Sequence, residues 1–137
     1  MTISLTVGTT LPPLEKTVSQ EMINLYARAS GDYNPIHIDP EFAKKTTQGG
    51  TIAHGMLILA FVNNMMTAAF GKDWLETGSL DVRFKSAAKP GDTVTTKGEI
   101  KKTETVENGT RVRCTVFCFN QNNEAVITGD AVVTVKT

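Results

Sequence analysis

Residues 26–43 place a carboxylate and an imidazole, two side chains that can exchange protons, close together in the sequence. Asp32 and His37 lie on either side of Asn34-Pro35. Five residues of extended chain span up to about 17 Å, so the two side chains meet only if the segment bends. Asn34-Pro35 supplies a bend, because Asn hydrogen-bonds its own backbone and Pro fixes φ. The pair could then hold a water and take its proton. The spacing also fits a loop-capping Asp32 and a His37 packed in the core.

The second of the two histidines, His54, directly precedes Gly55 at the predicted start of a long helix. The first backbone N–H groups of a helix have no internal partners. Because Gly55 has no side chain, a carbonyl oxygen could approach its N–H, and such a donor stabilises a developing oxyanion. Glycine at a helix start can also serve backbone geometry alone.

Other catalytic arrangements find little support in the sequence. No Asp or Glu lies between His54 and Lys72, so acid or base groups must come from the preceding segment. The two histidines are not an i, i+4 pair and no cysteine pair lies nearby, so we expect no metal. Asp39, before Pro40, is placed to cap a helix. Gly-x-Ser-x-Gly, Gly-x-Gly-x-x-Gly and a phosphate loop are absent.

The composition indicates one α+β domain covering residues 1–137, with zero formal net charge. No run of five like charges occurs, which argues against nucleic-acid and membrane partners. The N-terminus lacks the pattern of a secretion signal. Residues 52–70 are apolar but short for a membrane span and contain Asn63 and Asn64, which favours a buried helix.

The two cysteines indicate a reducing compartment. Cys114 and Cys118 lie four residues apart on a predicted strand, so their Cα atoms are roughly 13 Å apart. A disulfide requires less than about 7 Å, so they cannot pair within that strand. We therefore expect two core thiols and a cytoplasmic protein.

Helical patterns fill the first half of the chain and alternating patterns fill the second. We predict a helix capped by Ser19 and ending near Ser30, a short helix at 40–45, a loop at 46–51 and a long apolar helix at 55–70, enclosed by other structure. From Ser79 onward, period-two alternation predicts three or four antiparallel strands, with turns at Pro90-Gly91, Asn108-Gly109 and Asn122-Asn123. A sheet curled around the long helix would bury both.

Phe117 and Phe119 are predicted to point outward from their strand. They could form a second apolar surface, such as a subunit interface, or be scattered exposed aromatics.

Three segments together resemble a known family. The run Tyr-Ala-Arg-Ala-Ser-Gly-Asp-Tyr-Asn-Pro-Ile-His-Ile-Asp-Pro-Glu-Phe-Ala at 26–43 resembles the hydratase-2 motif of MaoC-like (R)-specific enoyl-CoA hydratases. Ile-Ala-His-Gly-Met-Leu at 52–57 is similar to that family's second block, and Pro-Gly-Asp at 90–92 to its third. The resemblance extends over nearly the whole chain.

The resemblance implies a hot-dog fold, a homodimer or higher oligomer, and an acyl-CoA substrate with no cofactor. It implies that Asp32 and His37 are the catalytic pair and that the Gly55 N–H binds the thioester oxygen. It further implies substrate-site positions, which are Asn34, His54, Met56, Leu57 and Asn63. Asn63 stands where family members often carry Ser.

The implied reaction is reversible syn addition of water to a trans-2-enoyl-CoA, giving an (R)-3-hydroxyacyl-CoA. Three alternatives stay open from the sequence. The chain could be a 3-hydroxyacyl dehydratase acting on acyl-carrier protein, a hot-dog thioesterase, or a non-catalytic acyl-CoA-binding domain. The lack of a carboxylate on the long helix disfavours the thioesterase, and the presence of both Asp32 and His37 disfavours the non-catalytic domain.

Overall fold

The computed structural model describes residues 3–137. In chain order its elements are β1 Leu14–Thr17, α1 Gln20–Ser30, α2 Pro35–Ile38, α3 Pro40–Lys44, α4 Gly55–Phe70, α5 Lys72–Thr77, β2 Ser79–Phe84, β3 Thr93–Val106, β4 Gly109–Phe119 and β5 Ala125–Lys136. The predictions for α1, α3 and α4 are confirmed, including the Ser19 cap, whose side chain accepts from the Met22 N–H. β1, α2 and α5 were not predicted, because each is a short segment of 4, 4 or 6 residues.

The long helix α4 is the centre of the core, and the sheet wraps around one side of it. Its buried residues are Leu57, Ile58, Phe61, Val62, Met65, Met66, Ala69 and Phe70. The prediction that α4 is enclosed all round is wrong for this chain, since Met56 is 57% exposed and Asn63 and Asn64 are exposed. A single five-stranded sheet covers only the side of the helix that faces it.

The sheet is antiparallel with the strand order β1-β3-β4-β5-β2. A simple succession of hairpins was predicted, and this holds for β3, β4 and β5 but is wrong for β2, which pairs with β5 at the sheet edge. Residues 85–92 cross between β2 and β3. Their backbone is anchored by Lys85 N–H to Val126 O at 2.8 Å and by Gly91 N–H to Val18 O at 2.7 Å.

The β3–β4 hairpin turns one residue earlier than its sequence indicated. Val106 pairs with Gly109, so the loop is Glu107-Asn108 rather than Asn108-Gly109. A side chain at Gly109 would collide with the carbonyl of Val135 on the neighbouring strand. Glycine is therefore needed here for close strand approach, in addition to any preference for a turn.

The cysteine prediction is confirmed, since Cys114 and Cys118 are free thiols buried in the core. Phe117 and Phe119 lie half-buried on the outer face of the sheet with ring centroids 5.5 Å apart. No helix within residues 3–137 is long and apolar enough to cross a membrane.

Candidate active site

The end of α1 places Asp32. Gly31 adopts a left-handed conformation (φ 80°) and donates its N–H to Ala27 O at 2.9 Å, which ends the helix. Asp32 follows in an exposed loop, where its Oδ1 accepts the Asn34 N–H at 3.2 Å. The carboxylate thus bends the loop toward α2 through a local side-chain to backbone bond.

A single helical turn presents His37. Asn34 caps α2 by accepting the Ile36 N–H at 3.1 Å, and Pro35 occupies the first helical position. Gln20 of α1 stabilises this turn, because its Nε2 donates to His37 O at 2.8 Å. The predicted bend is confirmed as a capped turn of helix. The predicted substrate contact of Asn34 stays a prediction.

Asp32 and His37 meet across a gap of 4.0 Å between Asp32 Oδ2 and His37 Nε2. His37 Nδ1 lies 2.8 Å from Ile52 O. A carbonyl only accepts, so we assign the proton to Nδ1, which leaves a lone pair on Nε2 of the neutral ring. Two hydrogen bonds of about 2.8 Å that meet at one water span this gap. The site can therefore hold a water that donates to both groups.

Gly55 is the first residue of α4, so its N–H has no intrahelical partner. The N-cap residue, His54, makes no side-chain cap bond that would occupy this helix end. A Cβ at Gly55 would lie 3.0 Å from Phe84 Cε1. Glycine therefore serves two purposes here, since it leaves the N–H accessible and lets the Phe84 ring pack against the helix start.

A cavity of about 330 Å³ opens beside His37 and Gly55. Its lining is mostly apolar and comprises His37, Ile52, Ala53, Gly55, Ile58, Phe84, Lys85, Ser86, Ala87, Ala88 and Val126. Phe84, residues 85–88 and Val126 were not foreseen as site residues. Phe84 ends β2 and Val126 lies near the start of β5, whereas residues 85–88 belong to the crossing, which is joined to the site by Ala53 N–H to Ala88 O at 2.7 Å.

None of the five predicted substrate-site residues lines this cavity, which holds for Asn34, His54, Met56, Leu57 and Asn63. Leu57 is 7% exposed and belongs to the core. Met56 and Asn63 line a separate groove of about 350 Å³ on the outer side of α4. Asn63 Oδ1 accepts the Trp74 Nε1–H at 2.7 Å. Their contact with substrate stays a prediction, and within one chain they do not border the His37 cavity.

His54 lies beneath the pair, with only 2% of its surface exposed. Its Nε2 is 3.0 Å from the backbone oxygen of Asp32, and its ring stacks on His37 with centroids 3.9 Å apart. Tyr26 packs edge-on against the same ring at 4.8 Å.

Asp32, His37 and His54 also form a group whose potential metal-ligand atoms lie within 4.8 Å of one another. The two imidazole planes are 25° apart, so their in-plane lone pairs lie in nearly parallel, stacked planes. One nitrogen of each ring is engaged with a backbone carbonyl. This donor set suits hydrogen bonding better than a shared tetrahedral ion. The expectations of no metal and no cofactor stay predictions.

A curved antiparallel sheet around a long helix is the hot-dog fold, and here a carboxylate and an imidazole lie near the start of that helix. Residues 4–122 match the model of the MaoC like domain, so the chain belongs to the MaoC-like dehydratase family. The chain is thus an enzyme of the hydratase and dehydratase class.

Relatives with known names agree with this assignment. The chain is 38% identical over 104 residues to the 3-hydroxyacyl-thioester dehydratase Z of Mycobacterium tuberculosis, covering 73% of this chain and 68% of the relative. It is 32% identical over 112 residues to a mitochondrial 3-hydroxyacyl-[acyl-carrier-protein] dehydratase of Arabidopsis thaliana, covering 82% and 66%. It is 31% identical over 121 residues to an (R)-specific enoyl-CoA hydratase of Aeromonas caviae, covering 88% of each.

A solved structure of an (R)-hydratase from A. caviae involved in PHA biosynthesis superposes with a TM-score of 0.83. Its identity to this chain is 28%, and the match covers 96% of this chain and 98% of the other.

Proposed function

We propose that this chain is an (R)-specific enoyl-CoA hydratase, which adds water syn to a trans-2-enoyl-CoA and runs reversibly. The observation that carries the proposal is the 4.0 Å gap between Asp32 Oδ2 and His37 Nε2. A gap of this width fits one shared water, and the adjacent cavity contains both His37 and Gly55. The site thus combines a held nucleophile with a backbone donor in one apolar recess.

In the proposed reaction the bound water donates to Asp32 and His37, and its oxygen attacks C3 of the enoyl group. One member of the pair takes the proton from the water as the C3–O bond forms. The electron pair of the double bond moves toward the thioester, and a proton from the pair is returned to C2. No net proton is gained or lost. Either Asp32 or His37 can act as the base, because both face the same gap.

Negative charge develops on the thioester oxygen during this attack. The Gly55 N–H at the start of α4 is proposed to donate to that oxygen, with the positive end of the helix dipole behind it. Loss of one such donor typically costs about 2.7–4 kcal/mol of transition-state stabilisation.

Replacement of each member of the pair tests the assignment. Asp32→Asn and His37→Gln keep size and polarity but remove the proton acceptor, so each is expected to slow crotonyl-CoA hydration by about a hundredfold or more. Glu107→Gln, in the exposed β3–β4 loop, is the matched control and should leave the rate unchanged. Near-parental rates in both site variants would disprove the assignment.

The second candidate function is dehydration of a 3-hydroxyacyl group on acyl-carrier protein. The name of the plant relative favours it, because that protein is a 3-hydroxyacyl-[acyl-carrier-protein] dehydratase, whereas the name of the mycobacterial relative gives only a thioester. The chemistry and the residues would be the same, with only the carrier changed. Rates on matched crotonyl thioesters of CoA and of carrier protein decide between them, and a large preference for the carrier protein would favour this second candidate.

We further infer a homodimer. Support comes from the outer side of α4, where Met56, Leu59, Ala60 and Asn63 line an apolar groove that continues to Leu80 of β2. One edge of β2 pairs with β5, and its other edge pairs with no strand of residues 3–137. A second copy placed on this face would cover the groove and extend the sheet. A cytoplasmic location and a role in fatty acid metabolism are part of the same proposal.

A further inference from the structure

His54 makes an unusual set of contacts for a core residue. It is 2% exposed, and it does not line the cavity that His37 and Gly55 border. Its Nε2 lies 3.0 Å from the Asp32 backbone oxygen, which can only accept, so we assign the ring proton to Nε2. Its Nδ1 is then a buried lone pair, and this atom has no hydrogen-bond partner within residues 3–137. A buried polar atom without a partner calls for an explanation.

The same ring touches both members of the proposed pair. The Nε2–H reaches the main chain of Asp32 across 22 residues of sequence. One ring face stacks on His37 at 3.9 Å, with planes 25° apart. Tyr26 contacts the ring edge-on at 4.8 Å and thereby fixes its orientation from another side. His54 thus joins the Asp32 main chain through a hydrogen bond and the His37 ring through stacking.

We propose that His54 is a positioning residue, which sets the gap between Asp32 and His37 at the width of one water. This inference rests on the proposed hydratase function and extends it. Asp32 lies in an exposed loop, where its own ties are local bonds to Ser30 and Asn34. Within residues 3–137, the hydrogen bond from His54 is the one that joins Asp32 to a buried side chain. The stacked face limits how far the His37 ring can tilt away from Asp32.

This role explains the unpartnered Nδ1. A histidine placed only to fill the core could be exchanged for an apolar ring of similar shape at little cost. The position instead needs a flat ring for His37 and an N–H directed at Asp32, and imidazole provides both. The unsatisfied nitrogen is the consequence of meeting those two requirements in one side chain.

Two substitutions separate the two contacts. His54→Phe keeps a flat ring but removes the N–H, whereas His54→Gln keeps a donor the same number of bonds from Cβ and removes the ring. Thr96→Val is the matched control, because Thr96 is fully buried and its Oγ1 accepts the Leu14 N–H at 3.0 Å, away from the site. Thr96→Val removes the two hydrogen bonds between Oγ1 and the Leu14 backbone, so its thermal unfolding shows the cost of losing buried polar contacts away from the site.

The first measurement is kinetic, on crotonyl-CoA. We expect His54→Phe to lower kcat by about tenfold to a hundredfold, since displacement of a reacting group by about 1 Å can cost on the order of a hundredfold. KM should stay close to the parental value, because His54 does not border the cavity. His54→Gln should recover part of the lost kcat, and Thr96→Val should leave both constants unchanged.

The second measurement does not depend on turnover. Hydrogen–deuterium exchange of the backbone at residues 30–34 should quicken in His54→Phe, stay slow in His54→Gln and stay slow in Thr96→Val. Absence of turnover in the parent would overturn the hydratase proposal, and the exchange data would still decide the role of His54. Parental exchange and kcat in His54→Phe would overturn the positioning role, and so would exchange at residues 30–34 that quickens equally in the Phe and Gln variants.

Discussion

At the scale of single residues, the site depends on which nitrogen of His37 carries the proton. The bond from Nδ1 to Ile52 O fixes that choice and points the Nε2 lone pair at the gap facing Asp32. With His37 neutral, both groups are acceptors, and both can be satisfied by the hydrogens of one water. This explains why the heavy atoms stand 4.0 Å apart instead of making a direct bond.

Gly55 gives a prediction that separates catalysis from packing. Gly55→Ala would place a methyl group 3.0 Å from Phe84 Cε1 and beside the N–H proposed to bind the thioester oxygen. Turnover of crotonyl-CoA should fall by about a hundredfold, as on loss of an oxyanion donor. Adding Phe84→Leu should restore the melting temperature without restoring turnover. Full recovery of turnover in the double variant would show that Gly55 only accommodates the Phe84 ring.

The buried thiols give a prediction about pH. Burial raises the pKa of the Cys114 thiol to about 11 and that of Cys118 to about 12. The folded state therefore favours the protonated thiols. Their contribution to stability is fully present below the ordinary value of 9.0 and is lost as pH rises through 11 to 12.

Because the thiolate is the reactive form, both cysteines should resist a disulfide thiol reagent at about pH 8 in the native protein. Both should react at once after unfolding in urea. Rapid labelling of the native protein would mean that the strands carrying them open readily.

At the scale of elements, the segment between α1 and α4, which includes α2 and α3, brings most of the site residues together. The turn α2 positions His37, and its start depends on the bond from the Ile36 N–H to Asn34 Oδ1. The helix end at Gly31, the cap at Asn34 and the start of α4 at Gly55 bring three separate backbone segments to one point.

Asn34 tests this element directly. Asn34→Ala removes the cap and should cost about 1 kcal/mol of stability while also lowering kcat. Asn34→Ser keeps a capping oxygen, so it should retain most of the stability and activity. The comparison uses urea unfolding and crotonyl-CoA kinetics on both variants. If Asn34→Ser loses as much kcat as Asn34→Ala but keeps the parental stability, Asn34 acts on the substrate rather than as a cap.

The sequence predicted those elements whose signals are local. Ser19 marks a helix start through a capping rule and Gly55 was expected at the start of the long helix, and both positions are confirmed. The pairing of β2 was predicted wrongly, because strand pairing depends on contacts distant in sequence, here with β5. The cavity lining of Phe84 and residues 85–88 was missed for the same reason. The contacts of His54 with Asp32 and His37 depend on three-dimensional packing, which spacing along the chain does not specify.

At the scale of the whole molecule, one layer of sheet covers one side of α4 and leaves the other side apolar. Met56 is 57% exposed there, and the groove beside it has a volume of about 350 Å³. A monomer would expose this surface to water, which the hydrophobic effect disfavours. The proposed dimer would also bring Met56 and Asn63 of one copy close to elements of the other.

A charge placed in this groove tests the dimer. Ala60→Glu, in the centre of the exposed side of α4, should convert a dimer into a monomer because a buried unpaired carboxylate is costly. Light scattering coupled to size-exclusion chromatography gives the mass of each variant. Lys97→Glu, on the outer face of the sheet, is the control and should leave the mass unchanged. A parent that is monomeric, or a variant that stays dimeric, would contradict the proposed interface.

The central claim is that Asp32 and His37 hold one water on one face of the substrate and return a proton to that same face. Hydration of crotonyl-CoA in D₂O tests it most directly, with the product analysed for configuration at C3 and for the position of deuterium at C2. We expect (R)-3-hydroxybutyryl-CoA with deuterium and hydroxyl added to the same face. An (S) product, or addition to opposite faces, would contradict it.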